Sequence, residues 1–272
     1  MQSSTSSNTH ENLFSVTTPG LPKEWQWAER WSDRQERAQG FDQDAVRLAT
    51  IWICGCNGLG RTAAEVLLRK GYKIGLCDHD IVDITNLNRT FWRHDAVGEF
   101  KVTQAMKELA AIAPEQTEIR AFIGRLEEAF ESGVINNATV CVVGIDNDAG
   151  RAFAARELRR RNIPGVFYAL SKDTFTYEVF VQEPGKSCWA CAHPDRYRAA
   201  FEESKQTACP KVPSIADPCL IAVGFCCYAI DSLVMNRPRS WNFRLGYLHG
   251  EIPESSLQLP RRPDCPLCGV PA

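Results

Sequence analysis

Two C-x-x-C pairs, Cys188/Cys191 and Cys265/Cys268, carry the most specific chemistry in the chain. Each pair spans the bite of a tetrahedral Zn2+, and four soft thiolates close its coordination shell without an open position. A closed shell staples chain segments together; it does not activate water. Pro266 and Gly269 supply the turn residues of a zinc knuckle. A redox C-x-x-C beside a spare cysteine pair is the competing use of the same residues. A second constellation begins at Gly55, Gly58 and Gly60, spaced G-x-x-G-x-G directly after the apolar run that ends at Cys54. A turn this tight lets the backbone approach phosphate oxygens, and a following helix aims its amides and positive end at the anion. A glycine turn kept only for packing has the same spacing. Asp78 follows about 20 residues later, where an acidic residue suits ribose hydroxyls. Asp146 closes another apolar run, Thr139–Ile145. Carboxylates at the ends of central strands lie where open α/β sheets bind ligands.

These residues need a parallel sheet to hold them. Residues 48–54 and 139–145 read as buried central strands, 72–77 as a second strand, 117–123 as an edge strand, and 165–170 and 174–181 as a neighbouring pair. Helix-competent runs fall at 61–70, 101–113, 151–161 and 218–235, and Gly71 stands where a helix C-cap glycine belongs. The class expected is α/β: a Rossmann-like, mostly parallel sheet with helices on both faces, extended by antiparallel strands and the knuckle. Residues 1–20 read as a flexible N-terminal tail and 21–272 as a single domain. Residues 23–39, with Trp25, Trp27 and Trp31, read as an amphipathic helix docking its aromatics on the domain or on a second subunit. Residues 195–217 read as a long polar loop.

The chain has 272 residues, enough for a full core, and a net charge of −2, which gives no nucleic-acid surface. No apolar run approaches the roughly 20 residues of a membrane span, and Met1–Thr9 has no secretory core, so the cytoplasm is the default compartment. Cys54, Cys56, Cys77 and Cys141 sit in or beside apolar runs as buried small hydrophobes, as do Cys226 and Cys227 on the last helix.

In order along the chain, Arg34-Gln35, Gly40-Phe41-Asp42, the glycine turn, Asp78-His79-Asp80 through Asn86-Leu87-Asn88-Arg89, Lys101, Asp146-Asn147 with Arg151, and the double C-x-x-C resemble the ubiquitin-activating-like adenylyltransferases, the ThiF, MoeB and HesA group. The resemblance covers about residues 28–268. Asn57 departs from it at the middle glycine and Thr90 at a usual glutamine. It implies an enzyme that adenylates the C-terminal carboxylate of a small ubiquitin-like protein, a sulfur carrier or a modifier, with ATP and Mg2+ and release of pyrophosphate. Zn2+ would be structural and the enzyme a homodimer. The same resemblance extends to enzymes that modify ribosomal peptide precursors, and to non-catalytic halves of heterodimeric activators.

The resemblance assigns Asp78, with Asp80 in the same block, to the ribose side. Asn86 orients the phosphates, Arg89 and Lys101 contact them, and Asp146 holds Mg2+. Arg34 is the arginine a neighbouring subunit supplies. Cys209, with Lys205 and Lys211 nearby, is the candidate acceptor of the acyl group; a loop cysteine without chemistry is the equal alternative. Arg89 and Asp80 as a plain surface pair, and Arg34 as a solvated helix charge, are the alternatives for those residues. A Rossmann-type dehydrogenase would share the glycine turn and Asp78 but has no use for the Asn86–Arg89 block or the knuckle. A carboxylate-activating enzyme of transfer RNA modification generally lacks the zinc cysteines.

Overall fold

The structure is a computed structural model that describes residues 11–20, 30–171, 175–202, 214–247 and 255–269. Among them, β1 (Leu13–Thr17), β2 (Thr50–Cys54), β3 (Lys73–Asp78), β4 (Glu118–Ile123), β5 (Val140–Val143), β6 (Gly165–Leu170), β7 (Thr176–Gln182), β8 (Phe243–Tyr247) and β9 (Ser255–Leu257) form one sheet. Its order is β1-β4-β3-β2-β5-β6-β7-β8-β9. Strands β4, β3, β2, β5 and β6 are parallel; β1 and the run β7–β9 pair antiparallel at the two flanks. The chain steps from β2 outward to β3 and β4, then returns to place β5 on the other side of β2. That reversal makes the carboxyl ends of β2 and β5 the switch point, where such sheets bind ligands.

Helices cover both faces, so the central strands read as unbroken apolar runs. On one face lie α2 (Gln43–Leu48), α3 (Gly58–Lys70), α4 (Lys101–Ala110) and α9 (Ala216–Val234), packed on Ile51, Ile53, Ile74, Val142 and Tyr168. On the other lie α5 (Leu126–Glu131), α6 (Asp148–Arg160), α7 (Trp189–Ala192) and α8 (Pro194–Glu202), packed with the knuckle on Trp52, Val143 and Phe167. Cys54, Cys77 and Cys141 are buried in this second core, as expected. α3 ends at Gly71, whose φ of 103° accommodates no ordinary side chain without strain.

Four sequence expectations change. Residues 13–17, read as tail, form β1 and cover β4, so 117–123 is not an edge. The stretch 195–217 is helical through α8, while 203–213 lies outside the described residues. In the 23–39 stretch a single helical turn, α1 (Asp33–Glu36), is found among the described residues; Trp25 and Trp27 lie outside them. Finally, α9, at 19 residues, is long and apolar enough to cross a membrane by length and composition. Its packing against α3, β6 and β7 makes it a core helix here.

Candidate functional site

The glycine turn joins β2 to α3 at the centre of the sheet. Gly55 has φ of 98°, and a Cβ there would meet Gly144 O at 2.6 Å. A Cβ at Gly60 would lie 1.9 Å from Gly55 O, so the turn closes only on glycine. Gly58 serves a different contact. A Cβ there would meet Arg89 O at 3.2 Å, so its absence lets the Arg89 loop pack against the turn.

Asn57, the departure from the usual glycine, has an extended backbone and caps α3. Its Oδ1 accepts from Leu59 N at 3.2 Å and Gly60 N at 3.4 Å, and its Nδ2 donates to Gly144 O at 2.8 Å. The expectation that these first-turn amides face an anion is therefore corrected: the Asn57 side chain already holds them.

Asp78 ends β3 and is buried. Its Oδ2 accepts from Cys56 N at 2.7 Å and its Oδ1 from Asp80 N at 2.9 Å, so the carboxylate braces both the glycine turn and its own loop. Each oxygen keeps a second lone pair for a ribose hydroxyl. Burial pushes this carboxyl above its ordinary value, opposed by the Lys101 ammonium. Lys101, the first residue of α4, donates from Nζ to Asp80 Oδ2 at 2.8 Å. Burial works against the Asp80 carboxylate too, but the Lys101 hydrogen bond and charge, with smaller help from His79 and Arg125, together hold Asp80 below the usual carboxylate range. In Lys101 the sign reverses: burial disfavours the ammonium, yet Asp78 and Asp80 together raise its pKa.

Asp80 thus pairs with Lys101, not with Arg89. Arg89 is half-buried, and its Nη1 donates to Thr85 O at 2.6 Å and Asn88 Oδ1 at 2.9 Å. Those bonds leave the Nε–Nη2 edge without a partner among the described residues, the edge an Arg offers a phosphate bidentately. Asn86 spends its Oδ1 on Asp83 N at 3.0 Å, closing the capping box of a short 3-10 turn, so only its Nδ2 could meet a phosphate. Thr90, at the other departure, donates to Asn86 O at 2.6 Å and steadies the same turn.

Asp146 stands exposed just beyond β5, ahead of Asn147, which caps α6 by accepting from Gly150 N at 2.7 Å. An exposed carboxylate at a strand end, offering hard oxygen, fits a Mg2+ whose other ligands are phosphate and water. Arg151 is buried and bonds Asp148 Oδ1 at 2.8 Å. Arg34 sits exposed on α1 at the opposite end of α3: its neighbour Gln35 donates to Lys70 O at 3.0 Å. Cys209 lies outside the described residues. Cys219, in the first turns of α9, is buried, 3.7 Å from Ser214 Oγ.

The four knuckle cysteines converge. Cys188 Sγ lies 3.7 Å from Cys191 Sγ, 3.5 Å from Cys265 Sγ and 3.4 Å from Cys268 Sγ, and Cys191 Sγ lies 3.4 Å from Cys268 Sγ. Zn–S bonds of about 2.3 Å set a tetrahedron edge of about 3.8 Å. All four are buried, and the donor set of four soft sulfurs suits zinc. Gly269 closes the second turn: its N donates to Cys265 O at 2.9 Å, and a Cβ would meet Pro263 O at 2.4 Å. Trp189, inside the first turn, is fully buried and stacks on Phe167.

Two groups escaped sequence reasoning. Arg196 on α8 binds Asp148 through two bonds, Nε to Oδ2 at 2.9 Å and Nη2 to Oδ1 at 2.7 Å, with Glu178 Oε1 at 3.2 Å. Asp231 on α9 takes Lys70 Nζ at 2.7 Å and Tyr72 OH at 2.9 Å, tying the end of α3 to α9. Both join segments far apart in sequence, and only an acidic residue at a helix start hinted at the first.

Comparison with known proteins agrees with this fold. The ubiquitin-like modifier-activating enzyme 5 of Oryza sativa subsp. japonica is 28% identical over 165 residues, covering 56% of this chain and 39% of that protein. Its namesake in Caenorhabditis briggsae is 30% identical over 168 residues, covering 56% and 38%. The chain therefore spans about two fifths of the length of these curated relatives. The crystal structure of E. coli MccB with ATP superposes with a TM-score of 0.71 at 20% identity, covering 92% of this chain and 76% of that one. MccB in complex with N-formylated MccA gives 0.73 at 20%, covering 92% and 77%. At these identities the likeness is one of fold. The ThiF family profile runs through residues 31–266, taking in the glycine turn, the Arg89 loop, Lys101, Asp146 and three of the knuckle cysteines, and the chain belongs to the ThiF family.

Proposed function

We propose that this protein adenylates the C-terminal carboxylate of a small ubiquitin-like protein with ATP, releasing pyrophosphate. The observation that carries this reading is the cation set at the switch-point crevice. Lys101 is held by Asp80 beside a glycine turn braced by Asp78, the Arg89 loop packs against the same turn, and Asp146 stands at the end of β5. A carboxylate attacking an α-phosphate asks little covalent help; it asks that negative charge on the departing phosphates be met by fixed positive charge. Lys101 supplies a point charge there and Arg89 a planar fork, each oriented beforehand by the bonds described above. Asp78 receives the ribose hydroxyls on its remaining lone pairs. Asp146 holds the Mg2+, which supplies Lewis-acid neutralisation of the phosphates when bound. The knuckle residues hold zinc as a staple.

Arg34 serves this chemistry only from a second copy. α1 is docked at the far end of α3, whose 13 residues put it about 20 Å from the glycine turn at 1.5 Å per residue, beyond the reach of one arginine side chain. A homodimer in which each copy lends Arg34 to the other is the arrangement that fits. Onward transfer of the acyl group to Cys209 is the further step this reading allows.

A ribosomal peptide with a free C-terminus is the second substrate class, favoured by the fold likeness to MccB bound to MccA. ATP–pyrophosphate exchange measured with ubiquitin-like proteins ending in Gly-Gly, and with short free-acid peptides, tests both. Exchange with the former and not the latter is expected. Exchange with neither across a broad panel overturns the adenylation reading. Mixing Arg34→Ala and Asp146→Asn chains, each inactive alone, is expected to restore part of the activity; no recovery removes Arg34 from the site.

A further inference from the structure

We propose that Arg196 is a positioning residue for the magnesium side of the nucleotide site, acting through Asp148 on Asp146. The inference rests on the adenylation reading above and adds a residue to it. Arg196 comes from α8, which starts three residues after the knuckle cysteine Cys191, yet its guanidinium grips the first residue of α6 with two parallel bonds, at 2.9 and 2.7 Å. Its Nη1 also reaches Glu178 on β7 at 3.2 Å and lies 3.4 Å from His193 Nδ1, and the guanidinium lies 5.4 Å from the centre of the buried Trp189 ring. Arg196 is thus fixed from three sides: by the sheet, by the knuckle turn and by α6.

Asp148 takes Arg151 Nη1 on the same oxygen that receives Arg196 Nη2. Two arginines converge on a single carboxylate at the start of a helix whose cap, Asn147, is the residue directly after Asp146. That is more restraint than capping α6 requires, since Asn147 already accepts from Gly150 N. What the extra restraint fixes is the three-residue bend that carries Asp146. Mg2+ demands near-octahedral oxygens at about 2.0–2.1 Å, so a carboxylate allowed to drift by a fraction of an ångström binds it less well. The clamp spans from the cysteine knuckle to the end of β5, giving the knuckle a route to the nucleotide site that its distance in sequence hides.

The test is equilibrium binding of unmodified ATP to the full-length, zinc-loaded protein by isothermal titration calorimetry, titrated with MgCl2 and repeated without added Mg2+, for wild type and Arg196→Gln. The Mg2+ concentration for half-saturation is expected to rise about tenfold in the variant, the size of a modest site-to-site coupling, while affinity without Mg2+ changes less than about twofold. A purely structural arginine lowers the melting temperature and the active fraction but leaves half-saturation where it was, and that result overturns the proposal. So does an equal loss with and without Mg2+. If Arg196→Gln yields no folded protein, Arg196→Lys is measured in the same way. One ammonium can hold only one Asp148 oxygen, so an intermediate rise supports the proposal and an unchanged midpoint overturns it. Wild-type protein that binds no nucleotide overturns the adenylation reading instead, and this proposal with it.

Discussion

Replacing Lys101 by methionine keeps the aliphatic stem and deletes the ammonium that sits between two carboxylates. Lys101 is 7% exposed, and its Nζ lies 2.8 Å from Asp80 Oδ2. Asp80 is half exposed, so this charge-assisted bond counts toward the low end of its range, ~1.5 kcal/mol. Asp78 adds a second loss, because a buried carboxylate then keeps only its two amide donors, a further ~1 kcal/mol at neutral pH.

The pH dependence separates these contributions. The Asp78 carboxyl is already raised by burial, and losing the opposing ammonium raises it further. A proton taken up by the folded form and not by the unfolded one favours folding, so the variant regains stability relative to wild type as the pH falls from 7 toward 5. Lys101 contributes nothing to that change: its pKa is raised, and its stabilisation is complete below its ordinary value and lost only as pH rises through the folded one. Asp80 is lowered, so its contribution is lost only as pH falls through a value beneath this window. Urea unfolding of both proteins should give a gap of ~2.5 kcal/mol at pH 7 that shrinks toward ~1.5 kcal/mol by pH 5. An equal gap at the two pH values would falsify the claim that Lys101 offsets the buried charge of Asp78. In the exchange assay the same variant should lose about 10²–10³ in turnover.

Cys268→Ser should abolish zinc binding, measured as metal per chain, and lower the melting temperature by about 10 °C or more, since structural zinc affinity is folding energy; full zinc retention would remove Cys268 from the shell. Gly60→Ala should cost about 3 kcal/mol and abolish nucleotide binding, because the new Cβ meets Gly55 O. Gly98→Ala, at φ of 94° but with nothing within 4 Å of the added Cβ, should cost only about 1 kcal/mol and leave binding intact, so equal losses at the two sites would refute the steric account. Asn57→Gly should lower stability by about 1 kcal/mol while tightening nucleotide binding, as the amides of Leu59 and Gly60 are released; calorimetry showing weaker binding would refute that.

What was legible in the sequence was what is local. Residues 50–54 and 140–143 are continuous apolar runs because both sheet faces are covered, and glycine spacing marks the turn wherever it occurs. The flanks were illegible. β1 and β9 are short, mostly exposed edge strands whose identity comes from a distant partner, Leu13 with Phe122 and Leu257 with Phe243. α8 begins at Pro194, a permitted first helical residue, within a polar stretch whose composition resembles a loop. At the site, spacing pointed to Asp78 and the family resemblance to Asp80, Arg89 and Lys101, but neither says who holds whom. The Asp80–Lys101 pair spans 21 positions and the Arg196–Asp148 clamp 48, and no periodicity records contacts of that kind.

Asn57 changes how the site must meet phosphate charge. With a glycine there, the first amides of α3 and the helix dipole would carry part of it. Here Leu59 and Gly60 donate to Asn57 Oδ1, and the same side chain reaches across to Gly144 O, locking the turn to the end of β5. The turn gains rigidity and loses donors. On the proposed reading the burden passes to side chains that approach from elsewhere: Arg89, brought in against Gly58; Lys101, held by Asp80; and a metal at Asp146, positioned through the Arg196–Asp148 pair. Each of these is set by a contact outside the glycine turn. On this reading the turn alone understates how much of the chain the proposed site would engage: the loop after β3, the start of α4 and the knuckle-side helix α8 would all contribute to it.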